Sequence, residues 1–274
     1  MPDHFNETFG LLVALMTAAL AAPSLRIGTL VLDNDFRHPV ELAKELATLD
    51  LMSDGRLELG LGAGWMLTDY QQSGIPYDSP QVRIDRFEES IAILKGLFSE
   101  GRYSFTGKHY KIAELEGQPK PVQKPHPPIM IGAGGKRMLS IAAREADIVN
   151  VTFSMARGVW DSEASATGTA ESTKKKIQWL RDVAGERLRQ IELSVPVFVA
   201  KVTDQQRGTA EHLASRYGLT AEQVLASPHF LVGSLGWIVE ELERRRAEYG
   251  FSYIIFGGET YEVLAPVVAR LGGT

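Results

Sequence analysis

Apolar residues along this chain follow two rhythms. Short, nearly continuous runs rich in Leu, Ile and Val fall at residues 25–32, 56–64, 128–132, 147–153, 191–202 and 251–256. Runs of this kind predict strands covered on both faces. Between them, apolar residues recur at helical spacing. In 39–52, Pro39 opens a helix whose one face carries Leu42, Leu46 and Leu49, and Asp54-Gly55 ends it as a turn. Residues 84–98 repeat Ile84, Phe87, Ile91, Leu94 and Phe98. Ser234 caps a helix with Leu235, Ile238, Val239 and Leu242, and 260–271 closes the chain with Val263, Leu264, Val267 and Val268. The stretch 11–22 reads as a core helix. Strand and helix alternate, which predicts an α/β fold with a parallel sheet.

Three segments break the alternation. Residues 102–112 read as a small hairpin around Thr106-Gly107. Residues 118–128 hold five prolines and should run extended over the surface. Residues 161–173 contain no large apolar side chain to anchor them, and are read as part of a mobile loop spanning about 155–175 that orders over substrate as a lid. No internal repeat appears beyond the alternation, so 1–274 is read as one domain.

Composition narrows the class. With 274 residues, 44% hydrophobic and 23% charged, the chain has an ordinary globular balance and suits one barrel of roughly 250 residues. A net charge of −5 and a pI of about 5.8 argue against a nucleic-acid surface. The absence of cysteine excludes disulfides, zinc–thiolate sites and thiol nucleophiles, and fits a reducing cytoplasm. The longest apolar run, 11–22, is interrupted only by Thr17 and reaches about 12 residues. A membrane span needs about 20. Residues 19–21 resemble a signal-peptide cleavage site, but residues 1–10 carry Asp3 and Glu7 and no Lys or Arg, against the basic start a signal requires.

Candidate chemistry is sparse. Two glycine-rich turns follow strands: Gly60-Leu61-Gly62-Ala63-Gly64, and Gly132-Ala133-Gly134-Gly135 just before a helix from Lys136. Glycine lets a backbone approach a ligand, and a helix start offers N–H groups to a phosphate. Neither turn has the dinucleotide fingerprint or a Walker lysine, so tight turn-making at strand ends is an equal alternative. His4, beside Asp3, is a residue type suited to proton transfer. His38 precedes Pro39 and reads as a helix-start residue. The remaining histidines lack partners at metal-ligand spacing, so no metal is assigned. No G-x-S-x-G elbow is present, against a serine hydrolase. Trp65 and Tyr70 are candidates to line an aromatic substrate pocket, or else pack against the long loop.

These segments together resemble the luciferase-like monooxygenase superfamily, and within it the oxidoreductases that use the deazaflavin coenzyme F420. The marks are Pro2-Asp3-His4-Phe5, residues 25–36 (LRIGTLVLDNDF), His38-Pro39 with Ala43-Lys44, residues 53–65 (SDGRLELGLGAGW), Arg83-Ile84-Asp85-Arg86-Phe87-Glu88 and residues 127–135 (PPIMIGAGG). The resemblance implies a TIM-type (β/α)8 barrel with ligands at the C-terminal strand ends. It implies His4 as proton donor or relay beside the deazaflavin, and a non-proline cis peptide at Leu30-Val31 behind the ring. It implies cofactor phosphate on Gly132, Ala133, Gly134 and Gly135. Asp3, Thr29, Leu30, Val31, Gly62, Asn150 and Thr152 are the further cofactor contacts it suggests. The reaction implied is hydride transfer between F420 and a small organic substrate, in a cytoplasmic homodimer without nucleic-acid or membrane partners.

Two departures from the family pattern stand out. Where the resemblance implies a glutamate acid in the family's glucose-6-phosphate dehydrogenases, just after a glycine turn, this chain has Trp65, which speaks against sugar-phosphate oxidation. Family members also carry a strand, a helix and most of a second strand before the Asp-His pair, about 30 residues. The expectation is therefore a barrel lacking that unit, through an upstream start, a relic chain or a neighbour filling the gap. Three other readings stay open. They are an FMN-dependent monooxygenase of the same fold, a catalytically silent cofactor-binding protein, and an unrelated phosphate-binding barrel lyase.

Overall fold

The computed structural model describes residues 1–5 and 9–273. The chain divides into two compact units, 1–132 with 145–147, and 133–144 with 148–274.

The first unit opens with α1 (Leu11–Ala21), which buries Leu11, Leu15 and Ala19 at a four-residue spacing. Strands β1 (Ile27–Gly28) and β2 (Leu32–Asp33) both pair in parallel with β3 (Leu57–Gly62). A cis peptide at Leu30-Val31, where the resemblance puts one, separates the two short strands. Helix α2 (Pro39–Met52) starts on the His38 ring, which accepts the Val40 N–H, and turns Leu42, Leu46 and Leu49 inward. The short α3 (Leu67–Ser73) and the long α4 (Pro80–Phe98) follow. A hairpin of β4 (Tyr103–Thr106) and β5 (Lys111–Leu115) stands where one was expected. The proline-rich stretch after it has no regular structure and is pinned by Gln123. That side chain donates to the Asp50 carboxylate at 2.7 Å and to the Leu57 carbonyl at 2.8 Å. Strand β6 (Ile129–Ala133) then pairs in parallel with β3. Arg56 gathers loose carbonyls at the end of α1, donating to those of Ala19, Ala22 and Leu25, and so answers acceptors a helix end leaves open.

The second unit contains α5 (Lys136–Glu145, its last residue falling to the first unit), β7 (Ile148–Val151), α6 (Ser162–Ala166) and α7 (Ala170–Ala184). Next come β8 (Glu192–Val197), β9 (Val199–Val202), α8 (Gln206–Tyr217), α9 (Ala221–Ala226) and β10 (Phe230–Gly233). Helix α10 (Leu235–Tyr249), β11 (Phe251–Phe256) and α11 (Tyr261–Leu271) complete it. Strand β8 is paired in parallel by β7 on one side and β11 on the other, while β9 and β10 form their own parallel pair.

Four expectations are corrected. The single strand expected at 191–202 breaks at Phe198, whose N–H leaves the ladder to donate to the His229 carbonyl. The strand β10 was not foreseen, because four buried residues are too few to set a period. Residues 161–173 are not an irregular loop: they form α6 and the start of α7, capped by Asp161 and Thr169. Small residues permit this packing. A Cβ on Gly168 would stand 1.7 Å from the Phe153 ring, and Ala164 and Ser165 are buried. The glycine-rich stretches begin inside strands: β3 runs through Gly62 and β6 through Ala133, so the turns start later than expected.

Gly60 shows the constraint most plainly. A Cβ there would lie 1.9 Å from the Thr29 carbonyl oxygen and 2.9 Å from the carbonyl carbon, and both of those Thr29 atoms belong to the backbone. We expect Gly60→Ala to lower the urea-unfolding free energy by about 2–3 kcal/mol. Gly208→Ala, in α8 with nothing within 4 Å of the added atom, should raise it by about 0.5–1 kcal/mol.

Candidate functional site

In the first unit the chain start lies along the segment between β1 and β2. The Met1 ammonium donates to the Gly28 carbonyl at 3.0 Å, and the Met1 carbonyl accepts from Leu30 N–H at 2.8 Å. The Asp3 carboxylate then accepts two N–H groups of Arg37, at 2.5 and 2.9 Å, and the backbone N–H of Asp33 at 3.1 Å. Burial works against the Arg37 charge, but Asp3 outweighs it and holds the guanidinium pKa above its ordinary value. Asp3 is thus committed to fixing the backbone.

His4, the next residue, is held by its ring. Its Nδ1 lies 2.6 Å from Oδ2 of Asp69, and the other carboxylate oxygen of Asp69 accepts the Phe5 N–H. The Asp69 side chain is 1% exposed and that of His4 29%, so a buried acceptor backs a reachable imidazole. An aspartate in the first turn of α3 is favoured by the positive end of that helix. Trp65 meets the His4 ring edge-on, centroids 5.6 Å apart. The strand-to-helix loop carrying Trp65 is itself pinned. Tyr77 donates its hydroxyl to the Trp65 carbonyl at 3.1 Å, and Arg83 donates to the Gly64 carbonyl at 2.8 Å while lying over the Tyr77 ring.

Tyr70, one residue after Asp69, does not face an opening. It is 1% exposed, and its hydroxyl reaches Asp33 at 3.1 Å and Asp35 at 3.0 Å. Arg86 bridges Asp35 and Asp78 at 2.8 and 2.9 Å. Burial pushes Asp33 up to about 7, with the Asp35 and Asp3 charges adding to the rise and the Asp35 N–H and Tyr70 hydroxyl opposing it. Thr29 is likewise spent internally: its hydroxyl donates to the Gly60 carbonyl and accepts the Gly60 N–H, at 2.7 and 2.8 Å. Gly62 and Gly132 both adjoin the Val31 side chain, which a Cβ on Gly62 would meet at 2.7 Å.

In the second unit, Ala133 is buried and its carbonyl accepts the Thr152 N–H at 3.1 Å. Gly134 is required by its neighbour, since a Cβ there would stand 1.9 Å from the Phe153 carbonyl oxygen. Gly135 meets only Ser154 Oγ, at 3.8 Å, and so leaves open space before α5. Asn150 is buried and donates to Ser194 at 3.0 Å, which makes it a link between β7 and β8. The Thr152 carbonyl accepts from Lys176, whose Nζ also donates to the Thr167 carbonyl, at 2.6 and 2.7 Å. Burial pushes Lys176 down to about 7.

Sequence reasoning missed Asp69, Arg37 and Lys176. Asp33, Asp35, Arg83 and Arg86 were visible as parts of motifs, without their roles. Among the described residues, no group of three or more His, Cys, Asp or Glu is placed to hold a metal, and no helix is long and apolar enough to cross a membrane.

The raised Asp33 pKa has a signed consequence for stability. Its folded value lies above the unfolded 3.8, so its contribution is complete below about pH 4 and is lost as pH rises towards 7. Relative to Asp33→Asn, which stays neutral, the parent should lose about 1 kcal/mol or more of unfolding free energy between pH 4 and pH 7 and little beyond. A difference that does not change with pH in urea titrations would remove Asp33 from this role.

Comparisons with known proteins bear on both units. The family model for luciferase-like monooxygenases matches residues 1–233. An FMNH2-dependent dimethylsulfone monooxygenase of Pseudomonas putida is 32% identical over 145 residues, 53% of this chain and 39% of that protein. An F420-dependent glucose-6-phosphate dehydrogenase of Amycolatopsis mediterranei is 33% identical over 124 residues, 45% of this chain and 37% of that protein. The chain therefore spans well under half the length of these two relatives. The structure of the coenzyme F420-dependent tetrahydromethanopterin reductase of Methanopyrus kandleri superposes with a TM-score of 0.76 at 17% identity, covering 98% of this chain and 88% of that one. That likeness shows the α/β fold of the luciferase-like TIM barrels. By the extent of its match to the family model, the chain belongs to the luciferase-like monooxygenase family.

Proposed function

We propose that the protein is an oxidoreductase that transfers hydride between coenzyme F420 and a small organic substrate, with His4 as its proton-transfer residue. The observation that carries this reading is the pair of a reachable imidazole and a buried carboxylate at 2.6 Å. With Nδ1–H donated to Asp69, the tautomer is fixed and proton exchange with a ligand falls to Nε2. Trp65, edge-on to His4, limits the swing of the ring and offers an apolar wall.

A flat, redox-active ring fits these residues: one oriented proton donor beside apolar and backbone surface, with no competing metal-type donor set among the described residues. When bound, such a ring supplies the hydride donor or acceptor. Taken by itself, the second unit offers an anion place at the open space by Gly135 and the start of α5 with Lys136 and Arg137, and we propose it as such. Asp3, Thr29 and Asn150 we assign to holding the fold, because their polar atoms are already engaged. FMN is the second cofactor reading, favoured by the Pseudomonas putida relative.

A fluorescence titration with F420, and FMN as competitor, separates the readings. We expect saturable F420 binding with little FMN response, and unchanged binding by His4→Ala. Preference for FMN would turn the reading to a monooxygenase, and binding of neither would defeat it.

A further inference from the structure

Five rings in the second unit pack into one cluster whose outer members stay open to solvent. Phe153, two residues past β7, is 1% exposed and forms the floor. Phe198, directly after β8, stacks on it at 5.0 Å and 21°. Trp160, in the loop before α6, meets Phe153 edge-on at 5.0 Å and Phe198 at 4.7 Å and 70°. His229 and Tyr217 back the cluster, 4.4 Å from Phe153 and 5.7 Å from Trp160. Yet Trp160 and Phe198 remain 36% and 39% exposed, with Val159 and Val202 also open.

We propose that Trp160 and Phe198 form a subsite for an aromatic ring of the substrate. This deepens the proposed oxidoreductase function and rests on it for the word substrate. Four observations support it. First, the rings stand past the C-terminal ends of parallel strands β7 and β8, the end at which α/β folds take ligands. Second, the two open rings stand nearly perpendicular and present a face beside an edge, a corner that a third ring extends by the stacked and edge-to-face contacts aromatic groups prefer. Third, Trp160 is already held in place. The Trp160 Nε1–H donates to Ser165 Oγ at 3.1 Å, and Ser165 donates in turn to the Asp161 carbonyl at 2.9 Å. Preorganised rings lose little freedom on binding. Fourth, the ring behind the floor is itself uncharged: His229 is fully buried, and that burial, with the Lys176 and Arg245 charges adding to it, pushes it down to about 3, so it is neutral at physiological pH.

Size selects the occupant. Two aromatic side chains this exposed present on the order of 150 Å². A stable protein partner needs about 800 Å² on each side. The patch fits one or two fused rings.

The test is calorimetric titration of the whole chain with 2-naphthol and with its saturated counterpart decahydro-2-naphthol, which has similar size and no aromatic face. We expect saturable one-to-one binding of 2-naphthol, at least tenfold tighter than the saturated alcohol. Trp160→Ala and Phe198→Ala should each weaken it about tenfold, and Trp160→Phe by less than about threefold. Trp160→Leu keeps apolar area without the ring and should behave like the alanine variant, so the inference stays testable if an alanine variant unfolds. Equal binding of the two alcohols, unchanged binding by the leucine and alanine variants, or no saturable binding by the parent would overturn it. No cofactor enters this experiment. Failure here with F420 binding intact removes the subsite alone, and binding here without any F420 or FMN response removes the cofactor reading alone.

Discussion

The arrangement around His4 depends on how the Asp3 carboxylate is held. Arg37 grips it with two N–H groups and Asp33 adds a third from its backbone, while Met1 lies hydrogen-bonded to Gly28 and Leu30. These contacts fix residues 1–3 along the segment that joins β1 and β2. His4 inherits its backbone position from that anchoring, and Asp69 then sets its ring. A partly buried pair of this kind is not large in net stability. Removing one partner is costly, about 3 kcal/mol or more, because it leaves an unpaired charge in a shielded place. The interaction therefore acts as a positional lock.

Around that lock the unit gathers Asp3, Asp33, Asp35 and Asp69 close to Arg37 and Arg86. Such crowding separates roles. Asp3 and Asp35 are tied to guanidinium groups, Asp33 is left without one and tends to hold its proton, and Asp69 faces the imidazole. The short α3 serves both sides at once, since consecutive residues Asp69 and Tyr70 point to His4 and to the Asp33–Asp35 pair. Arg83 and Arg86, three apart on α4, tie down the Trp65 loop and the aspartates. The Arg83–Glu88 motif marks a brace for the site.

Much of the framework was legible in the chain. The hydrophobic runs located the main strands, the Pro39 and Ser234 signals located helix starts, and family likeness located the Leu30-Val31 bond. What escaped has physical causes. Strand β10 is too short to show a period. Residues 161–173 look unanchored because their residues are small, yet small residues are what let the turn at Gly168 press against Phe153. The glycines at 60 and 134 read equally as ligand turns or as turn-makers at strand ends; each answers a close backbone neighbour that only the fold supplies. Asp69 lies 65 positions from His4, and no local pattern announces a partner at that distance. Residue type left Tyr70 open as a pocket wall or as packing against the long loop, and its hydroxyl draws it inward to the Asp33 and Asp35 carboxylates.

The central claim is that Asp69 orients His4 for proton transfer, and nitrogen NMR of the histidine rings tests it most directly. With ¹⁵N-labelled protein and His4→Gln to assign the signal, the neutral His4 ring should carry its proton on Nδ1, and Asp69→Asn should perturb that signal while leaving the other histidines in place. A neutral ring protonated on Nε2, or a His4 signal indifferent to Asp69→Asn, would contradict the account.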